Sequence, residues 1–257
     1  ISRALTLNSV MINLKIAIQK SGRLNEDSLT LLKECGISIN NGKDQLMAQA
    51  SNFRLDVLYL RNSDIPQYVR DGVADIAIIG DNTEKEKKTG IRHVLDLGFS
   101  RCRLSIAVPK NVDFQDISYL QGKKIATSYP NSLKDFLTEN DIEAEIHEIS
   151  GSVEIAPNIG LADAMCDVVS SGSTLFKNGL KDVYKIFESQ AILVANSGLC
   201  GEKQELLAQL VFRIKAVLAA KYNKYILLNA PEKALDRICR LLPGMKSPTI
   251  MPLRENG

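Results

Sequence analysis

Short apolar runs alternate along this chain with segments of helical periodicity, and few architectures accommodate that order. Leu14–Ile18, Leu55–Leu60 and Asp75–Ile79 have the length and branched composition of buried strands. Between them stand a helix starting near Asn25 and stopping at Cys35-Gly36, and a shorter one from Asp64 to Asp71-Gly72. Asn25 suits an N-cap, Glu26 and Asp27 favour the helix dipole, and Gly36 suits the position past the last turn. The run Glu84–Lys88 reads as a solvated loop or helix face with little chemical meaning.

A second cycle starts at Arg103. Leu104–Val108, Lys124–Thr127 and Glu143–Ile149 read as strands, and Pro130 to Asn140 as a helix with proline in its first turn. Gly151-Ser152, a short helix and a further strand follow. Such alternation predicts an α/β fold with mixed, mostly parallel sheets, and two cycles predict two lobes with a ligand cleft between them. Residues 11–105 with 188–230 are assigned to lobe I and 106–187 to lobe II, the crossovers lying near the strands 103–108 and 191–195. After Ala191–Ala195, Leu206, Leu207, Leu210, Val211, Ile214, Val217 and Leu218 share one face of a long helix. A second helix runs from Pro231 to Leu242; both apolar stripes read as core or subunit contact.

Composition narrows the function. With 257 residues, 45% hydrophobic and 24% charged, the chain is long enough for real cores. A formal charge of +2 gives no reason to expect a nucleic-acid or membrane surface, and no apolar stretch is long enough to cross a bilayer. Five cysteines (Cys35, Cys102, Cys166, Cys200, Cys239) stand far apart without a paired motif, which argues against metal or disulfide roles and fits a reducing cytoplasm. Residues 1–10 read as a leader or cloning remnant ahead of Met11.

The chemistry concentrates at Asp167-Val-Val-Ser-Ser-Gly-Ser-Thr-Leu175. Val168 and Val169 continue a buried strand, which opens into five small or hydroxylated residues before a helix. Such a turn offers N–H groups and hydroxyls to an anion. A carboxylate before it suits the hydroxyls at the other end of a sugar phosphate, so the stretch is a candidate seat for a ribose 5-phosphate; an ordinary strand–helix turn is the competing reading.

Several blocks then carry a family resemblance: Gln19 to Leu24, Arg61 to Pro66, Cys102 to Ser105, Ile125 to Pro130, and above all Glu154 through Leu175, with Gly160, Ala162, Asp167, Ser171-Gly172 and Thr174-Leu175. Across nearly all of residues 12–253 the chain resembles the ATP phosphoribosyltransferases of histidine biosynthesis, with Met165 where the family usually has Ile or Val. The resemblance implies two lobes like those of type II periplasmic binding proteins. It also implies a reaction in which N1 of ATP attacks C1 of 5-phosphoribosyl 1-diphosphate, with Mg2+ mainly on the diphosphate.

By the same resemblance, Ser170, Ser171, Gly172, Ser173 and Thr174 would hold the 5′-phosphate. Asp167 would face the ribose or cap its own turn. Glu154 would face the ribose hydroxyls or the magnesium, or simply start a helix. Lys20, Arg23 and Arg103 would supply positive charge around the phosphates, or act as surface ion-pair partners. Arg61 would contact ATP directly or pair with Asp64 to fix a loop, Tyr129 would stack on adenine or pack, and Gly80-Asp81, ending a strand at the cleft, would be a further ATP candidate. His93 and His147 fit no triad or metal pattern and read as structural.

The C-terminus is expected to depart from the long form of the family. Pro243-Gly244, Pro248 and Pro252 read as a linker, and 231–257 as a helix and truncated linker to an absent histidine-binding regulatory domain. That predicts activity insensitive to histidine, and a homodimer in preference to a hexamer. The rivals are a nucleotide-binding or effector-sensing module of the same fold, and a phosphoribosyltransferase with another acceptor. Cys166, where that wider group carries a second acid before Asp167, favours the histidine-pathway enzyme.

Overall fold

The computed structural model describes residues 12–40, 45–223, 226–242 and 249–251; the expected leader 1–10, Met11, Pro243-Gly244, Pro248 and Pro252 lie outside them. The chain divides into one unit ending at Leu218 and a second from Ala219 onward.

In the first unit the elements run β1 (Leu14–Gln19), α1 (Arg23–Glu34), β2 (Met47–Gln49), β3 (Leu55–Leu60), α2 (Ile65–Arg70), β4 (Ile76–Gly80), α3 (Asp81–Lys87) and β5 (Arg92–Asp96). The chain then crosses to β6 (Cys102–Pro109), β7 (Lys124–Thr127), α4 (Pro130–Glu139), β8 (Glu145–Glu148), β9 (Ala164–Val169), α5 (Ser173–Lys177) and β10 (Leu180–Ser189). It returns through β11 (Ala191–Ala195) to α6 (Gly201–Tyr222), and α7 (Leu235–Leu241) belongs to the second unit.

Two sheets result, ordered β2-β3-β1-β4-β11-β5 and β10-β6-β9-β7-β8. They are mixed, but less parallel than the alternation predicted. β1 pairs parallel with β3 and β4, and β7 with β8 and β9, while β2, β5, β6, β10 and β11 all pair antiparallel. The strand Cys102–Pro109, divided by the expected boundary at 105/106, lies whole in the second sheet, so the crossings fall at 97–101 and at Gln190.

Each sheet has its own apolar layers. Leu14, Ile16, Ile18, Leu55, Val57 and Ile78 of the first pack with Leu31 and Leu32 of α1 and Leu206, Leu207, Leu210 and Ile214 of α6, the stripe read from the sequence. Its opposite face meets Ile65 and Val69. In the second sheet Leu104, Ile106 and Ile125 pack with Leu133, Phe136 and Leu137 of α4, and the opposite face with Val153 and Leu175.

Local corrections concern caps. Helix α1 starts at Arg23, after Gly22 at φ 89°, and Asn25 lies inside it, donating from Nδ2 to Gln19 O at 2.6 Å. Arg61 and Asp64 form no side-chain pair: Asp64 N donates to Arg61 O, and the Asp64 carboxylate takes the Ser63 hydroxyl at 2.8 Å. Glu84–Lys88 is not simply a solvated face, because Glu86 is 6% exposed.

Candidate functional site

In open α/β sheets, ligands sit where parallel strands end. At the C-terminal ends of β1, β3 and β4 stand Lys20, Arg61 and Gly80-Asp81, and Lys20 N is tied to Leu60 O at 2.8 Å. In the second sheet β7 ends at Ser128-Tyr129 and β9 at Ser170, beside Arg103 of β6 in register with Val169. Between the sheets lies an open cleft of about 630 Å³. Asp81, Asp96, Arg101, Arg103, Ser170 and Glu188 are among the residues that line it.

The Ser170–Thr174 turn is gripped from both sheets. Arg23, from the first turn of α1, donates to Ser170 Oγ at 3.0 Å. Arg103 reaches Ser170 O with Nη1 at 3.4 Å, while its Nε and Nη2 fork onto Asp182 Oδ2 at 2.8 and 2.5 Å. That fork fixes a planar cation at the turn, as a lysine would not. Gly172 sits at φ 76°, a conformation that L side chains rarely adopt. Ser171 Oγ and Ser173 Oγ are 3.0 Å apart, and Ser171, Ser173 and Thr174 are exposed.

Asp167 lies three residues before the turn on β9. Its Oδ1 accepts from Val168 N at 2.7 Å and from Ser128 Oγ at 3.0 Å. Burial pushes its pKa up; those two donors pull it down, and the Glu154 charge adds a smaller upward push. Glu154, on a 3-10 turn at Val153–Ile155, is therefore within electrostatic reach of Asp167. Ser105 Oγ, on the strand position opposite Asp167, is buried with no hydrogen-bond partner, as is Asn62 Oδ1. Such buried, unpaired atoms are uncommon in folded proteins. Among the described residues, no three His, Cys, Asp or Glu side chains gather as a metal-ligand set.

The remaining expected residues are spread between the strand ends and the cleft wall. Lys20 and Arg61 stand at the strand ends without lining the cleft, and Asp81 pairs with Lys85 at 2.6 Å. The Tyr129 ring packs against the second sheet's core, and its hydroxyl accepts from Asn82 Nδ2 at 2.8 Å. Burial above all pushes the Tyr129 pKa upward, so the hydroxyl stays protonated. His93 and His147 pair with the neighbouring Asp96 and Glu145 at 2.8 Å.

Sequence reasoning missed Asp182, Arg101, Asn82 and Glu86. An arginine needing a partner was visible at 103, but Asp182 is 79 positions away. Glu86 accepts from Asn131 N at 2.9 Å and from Ser132 N and Oγ at 2.8 Å each, which no local pattern announces.

Comparison with known proteins decides what carries this geometry. The family model for ATP phosphoribosyltransferase matches residues 61–216. A relative from Cytophaga hutchinsonii named ATP phosphoribosyltransferase is 57% identical over 244 residues, covering 95% of this chain and 85% of that protein. The chain belongs to the ATP phosphoribosyltransferase family.

A solved ATP phosphoribosyl transferase (HisG:HisZ) complex from Thermotoga maritima superposes at TM-score 0.70 and 28% identity, covering 80% of this chain and 99% of that one. A substrate-binding protein of an amino acid ABC transporter superposes at TM-score 0.55 and 12% identity, over 82% of this chain and 95% of that one. That second likeness is one of fold alone, the periplasmic-binding-protein-like architecture expected from the sequence.

One expectation is overturned. The model for the C-terminal domain of the ATP phosphoribosyltransferase family matches residues 220–257, so the chain is not a catalytic core lacking that domain. The prolines near the end suggested a linker, but the match already begins at the end of α6. The expected insensitivity to histidine rested on that absence and loses its ground. No helix among the described residues is long and apolar enough to cross a membrane.

Proposed function

We propose that this chain transfers the 5-phosphoribosyl group of 5-phosphoribosyl 1-diphosphate to N1 of ATP, releasing diphosphate, as the first step of histidine biosynthesis. The observation that carries the reading is the Ser170–Thr174 turn, held by Arg23 from one sheet and Arg103 from the other beside the half-buried Asp167 carboxylate. Membership of the family supports the choice of substrates.

The chemistry asks little covalent work of the protein. Adenine N1 brings its own lone pair, so no side chain need act as nucleophile. The N1–C1 bond forms as the C1–O bond to diphosphate breaks, and the diphosphate leaves with the electron pair. Alignment and charge stabilisation then supply the acceleration. In this reading Ser170, Ser171, Ser173 and Thr174 hold the 5′-phosphate, with Gly172 letting the backbone approach. Asp167 faces the ribose, where its negative charge suits the positive charge that develops at C1. Arg101 and Arg103 meet the departing diphosphate, and Lys20, Arg23, Arg61 and Asp81 face the ATP side.

Magnesium suits the same place. Asp167 and Glu154 are hard oxygen donors close enough to repel one another. One or two carboxylates plus phosphate oxygens and water is how magnesium is commonly held. Bound there, it neutralises charge on the diphosphate.

The test is incubation with ATP, 5-phosphoribosyl 1-diphosphate, magnesium and pyrophosphatase, following the ultraviolet absorbance of phosphoribosyl-ATP. Product that requires both substrates, and is lost in Thr174→Ala, is expected. Nucleotide binding without product would turn the reading towards a sensing module.

A further inference from the structure

The contact between α3 and α4 ties the two sheets together beside the loop whose Ser128 touches Asp167. Asn82 and Glu86 lie four residues apart on α3, hence on one face, and both are 6% exposed. Glu86 accepts three hydrogen bonds at the start of α4, from Asn131 N, Ser132 N and Ser132 Oγ, and its carbonyl takes Asn131 Nδ2 at 3.0 Å. A carboxylate there meets both unpaired N–H groups and the positive end of the helix dipole. Asn82 meanwhile holds the Tyr129 hydroxyl. The short segment between β7 and α4 is thus pinned at Tyr129 and at Asn131-Ser132, and Ser128, next to it, donates to Asp167 Oδ1 at 3.0 Å.

We infer that Glu86 is a positioning residue for the transfer reaction: acting from the first sheet through the start of α4, it sets the Ser128 hydroxyl that orients Asp167. The inference rests on the function proposed above. It also gives a reason for burying a carboxylate in a run of charged residues, since α3 begins at the cleft residue Asp81. A substrate seated against the first sheet and a carboxylate on the second then share one rigid connector.

The experiment is a double-mutant cycle between Glu86→Gln and Ser128→Ala in the full chain, with Lys88→Ala as control. Glu86→Gln keeps the shape but sets an amide N–H2 against helix N–H groups, leaving a buried donor unmatched. It is expected to lower kcat/KM for 5-phosphoribosyl 1-diphosphate about tenfold and to change KM for ATP less than about twofold. The loss should be largely absent when Ser128 is already alanine, because contacts in one network do not add. Lys88→Ala breaks only the exposed pair with Asp135 between the same helices and should leave both parameters unchanged. An unaltered kcat/KM in Glu86→Gln, or full additivity with Ser128→Ala, overturns the inference and leaves Glu86 a lobe tie that moves only the melting temperature. Should Glu86→Gln not fold, Ser132→Ala enters the same cycle, with about a threefold loss expected. If the wild-type chain forms no product, the proposed reaction fails. The calorimetric Kd for 5-phosphoribosyl 1-diphosphate then serves as the readout, and the inference stands only if Glu86→Gln weakens it through Ser128.

Discussion

Asp167 is pulled two ways, towards neutrality by burial and towards the charged form by Val168 N and Ser128 Oγ, and burial is the larger effect. A carboxyl whose pKa is raised in the folded state binds its proton more readily there than in the unfolded chain. Its contribution therefore favours folding in acid and is lost as pH rises through the folded pKa. At pH 7.5, Asp167→Asn is expected to raise the melting temperature, a gain that shrinks as the pH falls into the acid range where the carboxyl is protonated in both states. In the same protein, product formation should fall at least ~100-fold, because the charge proposed to face the reacting sugar is gone. Scanning calorimetry across pH checks the first part; a lower melting temperature at pH 7.5 would show the carboxylate to be a net stabiliser. Arg103 makes a different demand, one of shape. Arg103→Lys keeps the charge but cannot fork onto Asp182 while reaching Ser170 O, so steady-state kinetics should show kcat/KM reduced by roughly 10- to 100-fold.

At the scale of elements, the junction of β4 and α3 depends on a missing side chain. A Cβ on Gly80 would lie 2.3 Å from Asn82 Oδ1, although the backbone there has an ordinary φ of −74°. The Asn82 side chain would have to move, giving up Tyr129 and the hydrogen bond its Oδ1 accepts from Ser189 Oγ at 2.8 Å, while its backbone N keeps Ser189 Oγ at 2.9 Å. Gly80→Ala is expected to cost about 2–3 kcal/mol, read as a lower urea midpoint at unchanged slope. Gly36→Ala, at φ 73° in open space, should cost only about 1 kcal/mol of backbone strain. The sequence announced α3 only as a charged run, because Asn82 and Glu86 find their partners 45 or more positions away. It announced β1, β3, β4 and β9 clearly, because buried strands are contiguous apolar runs. β5 and β10 stayed illegible for the opposite reason: their exposed and half-exposed residues show no such run, and long-range pairing makes them strands. The Ser170–Thr174 turn was legible as a candidate anion seat because its residues are contiguous, whereas Asp182 and Glu86 find their partners by the fold alone.

Across the first unit as a whole, apolar packing stays within each sheet's own layers, and what joins the sheets is polar. Leu14 to Ile214 form one set of layers and Leu104 to Leu180 another. Between them run two backbone crossings and contacts that include Arg23–Ser170, Asn82–Tyr129, Asn82–Ser189, Lys85 over the Phe187 ring, Glu86–Ser132 and Lys88–Asp135. Hydrogen bonds of this kind contribute about 0.5–1.5 kcal/mol each net, and exposed ion pairs less, whereas each apolar layer buries many large side chains. The balance predicts that the two sheets open as separate cooperative regions before the chain unfolds globally. Leu133→Ala tests this, because Leu133 is fully buried in the second sheet's layers. The cavity should cost about 2–5 kcal/mol. Native-state hydrogen exchange should then show the slow amides of β7, β9 and α4 accelerated by about 100-fold, while those of β1 and β3 change by less than about threefold. Equal acceleration in both sheets would mean that the polar contacts couple them into one unit. With 5-phosphoribosyl 1-diphosphate and ATP both present, the difference between the sheets should narrow, because ligands held from both sides add their binding energy to the joint and not to either core.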